Sequence, residues 1–218
     1  MSLISSAKSG SSITPIDAGT YAAVCYGMID LGMQYSEQYN KSSPKVAILW
    51  EIPSEQIEVN GEMTSRTLSQ IYTNSLGDKA SLRRDLAAWR GRDFTETELA
   101  AFDLTTIIGA PCMINVIHKD VGGKTYANIG AIMKMPKGMA PPTGTLEHII
   151  FDLDSDDLSI INTLPKWLAD KIKESETYKE RIAGTGDMAG DEESDVDVDG
   201  YMNGLMQEIE DSDEELPF

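Results

Sequence analysis

Charge is partitioned along this chain, and the partition decides which part can fold. Residues 1–145 carry 13 Lys/Arg against 14 Asp/Glu, whereas residues 146–218 carry 5 against 22. From Ala183 onward the composition is Gly, Asp, Glu and Met with few aromatics. Such a stretch cannot bury enough apolar surface to offset its conformational entropy, so 183–218 reads as a disordered acidic tail. The chain as a whole is 41% hydrophobic over 218 residues, enough for a real core upstream of that tail. A net charge of −18 argues against holding a polyanion only while the two regions are summed. A nearly neutral body can still present a basic groove on one face.

Along the body, the Ser/Gly-rich residues 1–16 read as a flexible leader. Gly19 to Tyr35 reads as a long strand, bent at Gly27 and Gly32, where a bulge or a curve is expected. Lys45 to Ile52 reads as a second strand stopped by Pro53. Asn60-Gly61 favours a type I′ turn into a third strand, Arg66 to Asn74. The period then changes: Leu82, Leu86 and Trp89 fall at helical spacing, and Gly91 ends the helix that begins near Asp78. Thr95 and Glu98 form a capping box that opens a short helix running to Phe102. Pro111 to Lys119 and Lys124 to Lys134 read as a second hairpin turning through Gly122-Gly123.

The expected fold class is mainly β with inserted helices (α+β): about five strands in a partly open OB-fold-like barrel over 17–145, with helices between the third and fourth strands. Pro136 to Gly144 is a linker by composition. Beyond it, 146–182 reads as a C-terminal helical arm broken near Pro165, whose apolar face of Leu164, Trp167, Leu168 and Ile172 is expected to pack on the body.

Several motifs lead nowhere. Asp195 to Gly200 begins like a calcium loop, but its twelfth position is Met206 instead of the bidentate Glu. The acidic run Phe151 to Asp157 is explained by helix capping through Ser155 or Asp156. Gly122-Gly123-Lys124-Thr125 joins two strands and lacks the earlier Gly of a phosphate-binding loop. Cys25 and Cys112, the only cysteines, sit in apolar stretches, and His118 and His148 are too scattered for a zinc site. No metal, cofactor or catalytic constellation is expected. The N-terminus lacks an apolar targeting core, and no window approaches the ~18 apolar residues of a membrane span, so a cytoplasmic protein is expected.

The chain ends in Asp211-Ser212-Asp213-Glu214-Glu215-Leu216-Pro217-Phe218. A run of carboxylates joined to an apolar tip with a free α-carboxylate suits a shallow apolar pocket ringed by Lys/Arg, and Pro217 limits what must be ordered on binding. This ending resembles the C-terminal tip of bacterial and bacteriophage single-stranded DNA-binding proteins. The body looks like the OB-fold proteins of phage replication and recombination modules, on its strand order and on Ile48-Leu49-Trp50-Glu51-Ile52-Pro53 and Trp89-Arg90-Gly91-Arg92. The resemblance implies a non-enzymatic protein, in the bacterial host cytoplasm if phage-encoded, that coats single-stranded DNA as a monomer or small homo-oligomer. It implies that Asp213, Glu214, Glu215, Leu216, Pro217 and Phe218 dock a helicase, nuclease, primase or recombination mediator. The helices and the 146–182 arm depart from the bacterial members, so their tetrameric assembly does not carry over.

Holding a single strand takes cations along the phosphates and flat rings under the bases. Arg66, Leu68, Gln70 and Tyr72 share one side of the third strand, and Lys124, Tyr126, Asn128 and Lys134 share a polar side of the last. Tyr72 and Tyr126 are the leading stacking candidates; Trp50 and Tyr26 either stack or fill the core. Arg66, Lys119, Lys124 and Lys134 are the expected phosphate contacts, with Lys45 behind them. Arg83, Arg84, Arg90 and Arg92 are dense, but Asp78, Asp85 and Asp93 are close enough in sequence to pair with them. A competing function is an acidic DNA mimic that inhibits a host DNA-processing enzyme, which would spread its carboxylates over the folded body.

Overall fold

The computed structural model describes residues 14–185 apart from 60 and 155. The chain runs through strands β1 (Gly19–Ser36), β2 (Lys41–Val59) and β3 (Glu62–Thr73), helices α1 (Ser81–Arg90) and α2 (Glu96–Ala100), and strands β4 (Pro111–Val121) and β5 (Lys124–Met133). A short strand β6 (Ile149–Phe151), a 3-10 turn over Leu158–Thr163 and helices α3 (Lys166–Glu174) and α4 (Glu176–Thr185) follow. The strands form one mostly antiparallel sheet in the order β3-β2-β1-β4-β5, and β6 adds parallel to β1.

The sheet is not closed into a barrel, which corrects the expected partly open, OB-fold-like barrel to an open sheet. Its outer strands β3 and β5 share no ladder; α1 packs against both, with Leu82, Leu86 and Trp89 buried in the core. The apolar stripe of a helix thus stands where hydrogen bonds would complete a cylinder.

β1 is long enough to serve two ladders. Gly19 to Val24 pair with β4, and Val24 to Ser36 pair with β2. The β1–β2 register slips between Cys25 and Gly27 and again between Asp30 and Gly32, at the glycines where sequence placed the bends. A Cβ on Gly27 would lie 2.8 Å from the Leu49 side chain, so the close approach of the strands there requires glycine. β2 does not stop at Pro53. Its register against β3 breaks between Ile52 and Gln56, which accommodates the missing N–H of Pro53 in an irregularity, and the strand resumes to Val59. Gly61 (φ +87°) turns that hairpin, and Gly122 and Gly123 (φ +57° and +79°) turn β4 into β5.

Helix punctuation follows local rules. Gly91 ends α1 in the left-handed region, its N–H donating to the Ala87 carbonyl at 2.8 Å. Thr95 and Glu98 form the reciprocal box: Glu98 N–H donates to Thr95 Oγ1 at 3.3 Å and Thr95 N–H to Glu98 Oε2 at 2.9 Å. Thr95→Ala is expected to lower stability by about 1 kcal/mol in urea denaturation. In the acidic run the cap is Asp157, which accepts from Ser159 N–H at 2.9 Å. Asp156 accepts instead from Asp152 N–H at 2.6 Å, and Ser155 lies outside the described residues.

At β1 and β2 the sheet is buried on both faces. One core, between the sheet and α1, gathers Cys25, Trp50, Tyr72, Leu86, Trp89 and Ile114 with their neighbours. The other lies between β1–β2 and the arm, where Ile29, Leu31 and Leu49 meet Phe151, Trp167 and Leu168. The arm helices are therefore a second layer, joined edge to edge with the sheet through β6, which the sequence reading missed. Of the expected leader, residues 14–16 are tied down: Ile16 is buried and its carbonyl lies 2.8 Å from His118 Nε2. Among the described residues no helix is long and apolar enough to cross a membrane, and no cluster of three or more His, Cys, Asp or Glu could hold a metal.

Candidate nucleic-acid interface

All four rings nominated for stacking are interior. Tyr26, Trp50, Tyr72 and Tyr126 are between 0% and 8% exposed, so none offers a face to a base. The side that Arg66, Leu68, Gln70 and Tyr72 share is the side facing α1, where Leu68 and Tyr72 belong to the inner core. The Tyr72 hydroxyl donates to Asp85 Oδ2 at 3.1 Å, and burial, with that carboxylate beside it, pushes the phenol far above its ordinary value. Trp50 packs at 5.9 Å from Trp89. Tyr26, the extra residue of the first bulge, lies under the arm bonded to Thr67; burial raises its phenol to about 12.

The cations divide. Lys119 and Lys124 are exposed at the β4–β5 turn. Lys134 is exposed too, but not beside them. The β4–β5 register slips at Gly130, so the parity of β5 reverses and Ile132, like Ala127, points into the inner core. Lys134 consequently lies across Gly91, where a Cβ would stand 2.6 Å from its Cδ, and its N–H donates to the Ala88 carbonyl at 3.2 Å. Arg66 donates to the Thr14 carbonyl, and Lys45 Nζ to Thr73 Oγ1 at 3.1 Å.

The arginine cluster is neutralised from within. Arg83 pairs with Asp78 at 2.5 Å and Asp93 at 3.4 Å, Arg84 with Asp85 at 2.9 Å, and Arg92 with Glu98 at 2.7 Å. Arg90 also pairs with Glu98, and its guanidinium lies against the Phe94–Phe102 pair, 4.5 and 5.0 Å from the two ring centroids. The Arg92 guanidinium and the Thr95 N–H beside it, with Arg90, hold the Glu98 carboxyl far below the usual carboxylate range. These residues build a braced helix face.

What the structure does expose is the tip of the β1–β2 hairpin. Tyr35 is 51% and Tyr39 50% exposed, with Lys41 exposed beside them. Asn40 takes a left-handed conformation (φ +46°), and its Oδ1 accepts from the Tyr35 hydroxyl at 2.5 Å, which holds the ring across the turn. Sequence reasoning passed over both tyrosines. The signal was present: Ser36 to Lys41 holds no aliphatic residue and lies between two apolar runs, so Tyr39 within it and Tyr35 at its edge have no core to enter.

The second hairpin presents Ile117 (46% exposed), Lys119 and Lys124. Because Gly19 pairs with Val116 while Ser36 pairs with Lys41, the two tips project from opposite ends of β1. Exposed rings and cations at such tips can stack bases and neutralise phosphates. The two cysteines are poor nucleophiles, because burial pushes the Cys25 thiol up to about 12 and the Cys112 thiol higher. The tip Asp213 to Phe218 and the calcium-like run at Asp195 lie outside the described residues. No protein-family model matches the chain, and no curated protein sequence matches it.

Proposed function

We propose that this chain is a single-stranded DNA-binding protein that grips the strand with its two hairpin tips. The observation that carries the reading is the pair of half-exposed tyrosines, Tyr35 and Tyr39, beside Lys41 on an exposed turn. The strand order supports it. A central bent β1 between β2 and β4, with a helix between β3 and β4, is the arrangement of an OB-fold opened between β3 and β5. In that fold the connections after the first and fourth strands, with the face of the second and third strands, take oligonucleotides. Here the first connection brings rings and the other brings Lys119 and Lys124. We read the acidic segment, with Asp213, Glu214, Glu215, Leu216, Pro217 and Phe218, as the docking peptide for proteins that process the same DNA, on its resemblance to the tips of single-stranded DNA-binding proteins.

The test is fluorescence anisotropy of labelled oligo(dT) and of a duplex of equal length, titrated with the full chain at two salt concentrations. Tyr35→Ala and Tyr39→Ala should each weaken oligo(dT) binding about tenfold, a stacking contribution of ~1.4 kcal/mol. Lys119→Ala and Lys124→Ala should each reduce the salt slope by about 1. Equal affinity for duplex and single strand would overturn the reading. Absence of any binding would favour the DNA mimic.

A further inference from the structure

The base of the tyrosine-bearing hairpin is held by the arm. At the junction of α3 and α4, three hydrogen bonds cross to β1 and β2. Thr177 Oγ1 accepts from Met33 N–H at 3.0 Å, the Lys171 carbonyl accepts from Gln34 Nε2 at 2.7 Å, and Glu176 Oε1 accepts from Ser42 Oγ at 2.7 Å. These are the positions that flank Tyr35: Gln34 precedes it, and Ser42 is its cross-strand partner. The contact is close because Gly32 has no side chain. A Cβ there would stand 2.7 Å from Leu153, 2.9 Å from Ser175 and 3.0 Å from Thr177. The junction is itself fixed, since Ser175 Oγ donates to the Ile172 carbonyl at 2.6 Å and accepts from Tyr178 N–H at 3.0 Å.

We infer that Thr177 and Glu176 are positioning residues for strand binding: they set the angle of the β1–β2 hairpin, and with it the grip of Tyr35, without touching the nucleic acid. This rests on the DNA-binding reading above. A two-stranded ribbon beyond the edge of its sheet is weakly held by its own ladder. Clamping both of its strands at the base places the tip in one orientation, so less freedom is lost when a base stacks on it. The coupling is reciprocal: a strand held on the tip tightens the arm, and a pull on α4, the element from which the acidic segment departs, loosens the tip.

The experiment uses the full chain and oligo(dT). Thr177→Val removes the hydroxyl acceptor at nearly constant volume, Glu176→Gln weakens the bond to Ser42, and Thr177→Ser restores the hydroxyl. Thr177→Val should weaken binding about fivefold and speed hydrogen exchange at the Met33 amide, and Thr177→Ser should return both toward wild type. With Tyr35→Ala already present, Thr177→Val should add little, since both act through one ring. A purely structural role would lower the melting temperature and leave the affinity alone, and that result, or losses that multiply in the double variant, overturns the inference. If Tyr35→Ala weakens binding while Thr177→Val does not, the positioning role falls and the DNA-binding reading stands. If wild type ignores oligo(dT), both fall.

Discussion

Replacing Glu51 with Ala is expected to lower the unfolding free energy by roughly 3 to 4 kcal/mol, through loss of charge-assisted hydrogen bonds and the donors left behind. Glu51 lies mid-strand in β2, opposite Val24, fully buried. Burial by itself raises the pKa of a carboxyl. Here donors outweigh it. Thr145 N–H donates at 2.9 Å, Thr145 Oγ1 at 2.7 Å and Leu146 N–H at 3.1 Å, Ser65 adds its hydroxyl, and the group is held below the usual carboxylate range. The linker after β5 is thus buckled onto the sheet by one acceptor, with Gly144 so near that a Cβ would stand 2.9 Å from Glu51 Oε2. Glu51→Ala leaves these donors without their anion.

The pH dependence has a definite sign. A depressed native pKa stabilises the fold fully above the ordinary carboxylate value, and the contribution fades as pH falls through the native value. Glu51→Gln has no such titration. The advantage of wild type over Glu51→Gln should therefore be constant at neutral pH and shrink below about pH 4.3. Urea denaturation at several pH values reads this directly; a gap that does not narrow in acid would mean the carboxylate is not what the donors hold.

Gly32→Ala should cost about 3 kcal/mol, roughly 1 from placing a side chain at positive φ and roughly 2 from overpacking. The residue has φ +68°, and the added carbon would meet Leu153, Ser175 and Thr177 at 3.0 Å or less. The strain falls on the α3–α4 junction, so limited proteolysis should release the arm before the sheet is cut. Gly122→Ala separates the two contributions, because Gly122 also has positive φ (+57°) but nothing within 4 Å of its missing Cβ. It should show the conformational part alone, and equal losses at the two sites would rule out crowding at Gly32.

Local punctuation was readable in the residues: the bends at Gly27 and Gly32, the Thr95–Glu98 box and the αL stop at Gly91 all follow from backbone chemistry within a few positions. What was not readable is direction. Alternation along β3 correctly groups Arg66, Leu68, Gln70 and Tyr72, yet it cannot say which side faces the core. Leu68 and Tyr72 were decided by α1, packed against strands distant in sequence. On β5 the added Gly130 reversed parity, so Lys134 left the face it shares with Lys124 on paper. Tyr26 was hidden because the arm covers the far side of β1, and β6 was missed because three residues are too few to show a period. The exposed tyrosines escaped notice for a related reason: alternation does not mark where Tyr35, at the end of β1, runs past the core, and Tyr39 lies in the turn beyond it.

The pairing of β1 also has a temporal side. Its partners are β2, β4 and β6, so contacts reach from Gly19 to Phe151. A chain emerging from the ribosome exposes this strand ahead of all its partners and completes its surroundings only when the arm arrives. Until then its backbone edge stands open to other nascent polypeptides, the circumstance in which slow, non-local pairing invites misassembly.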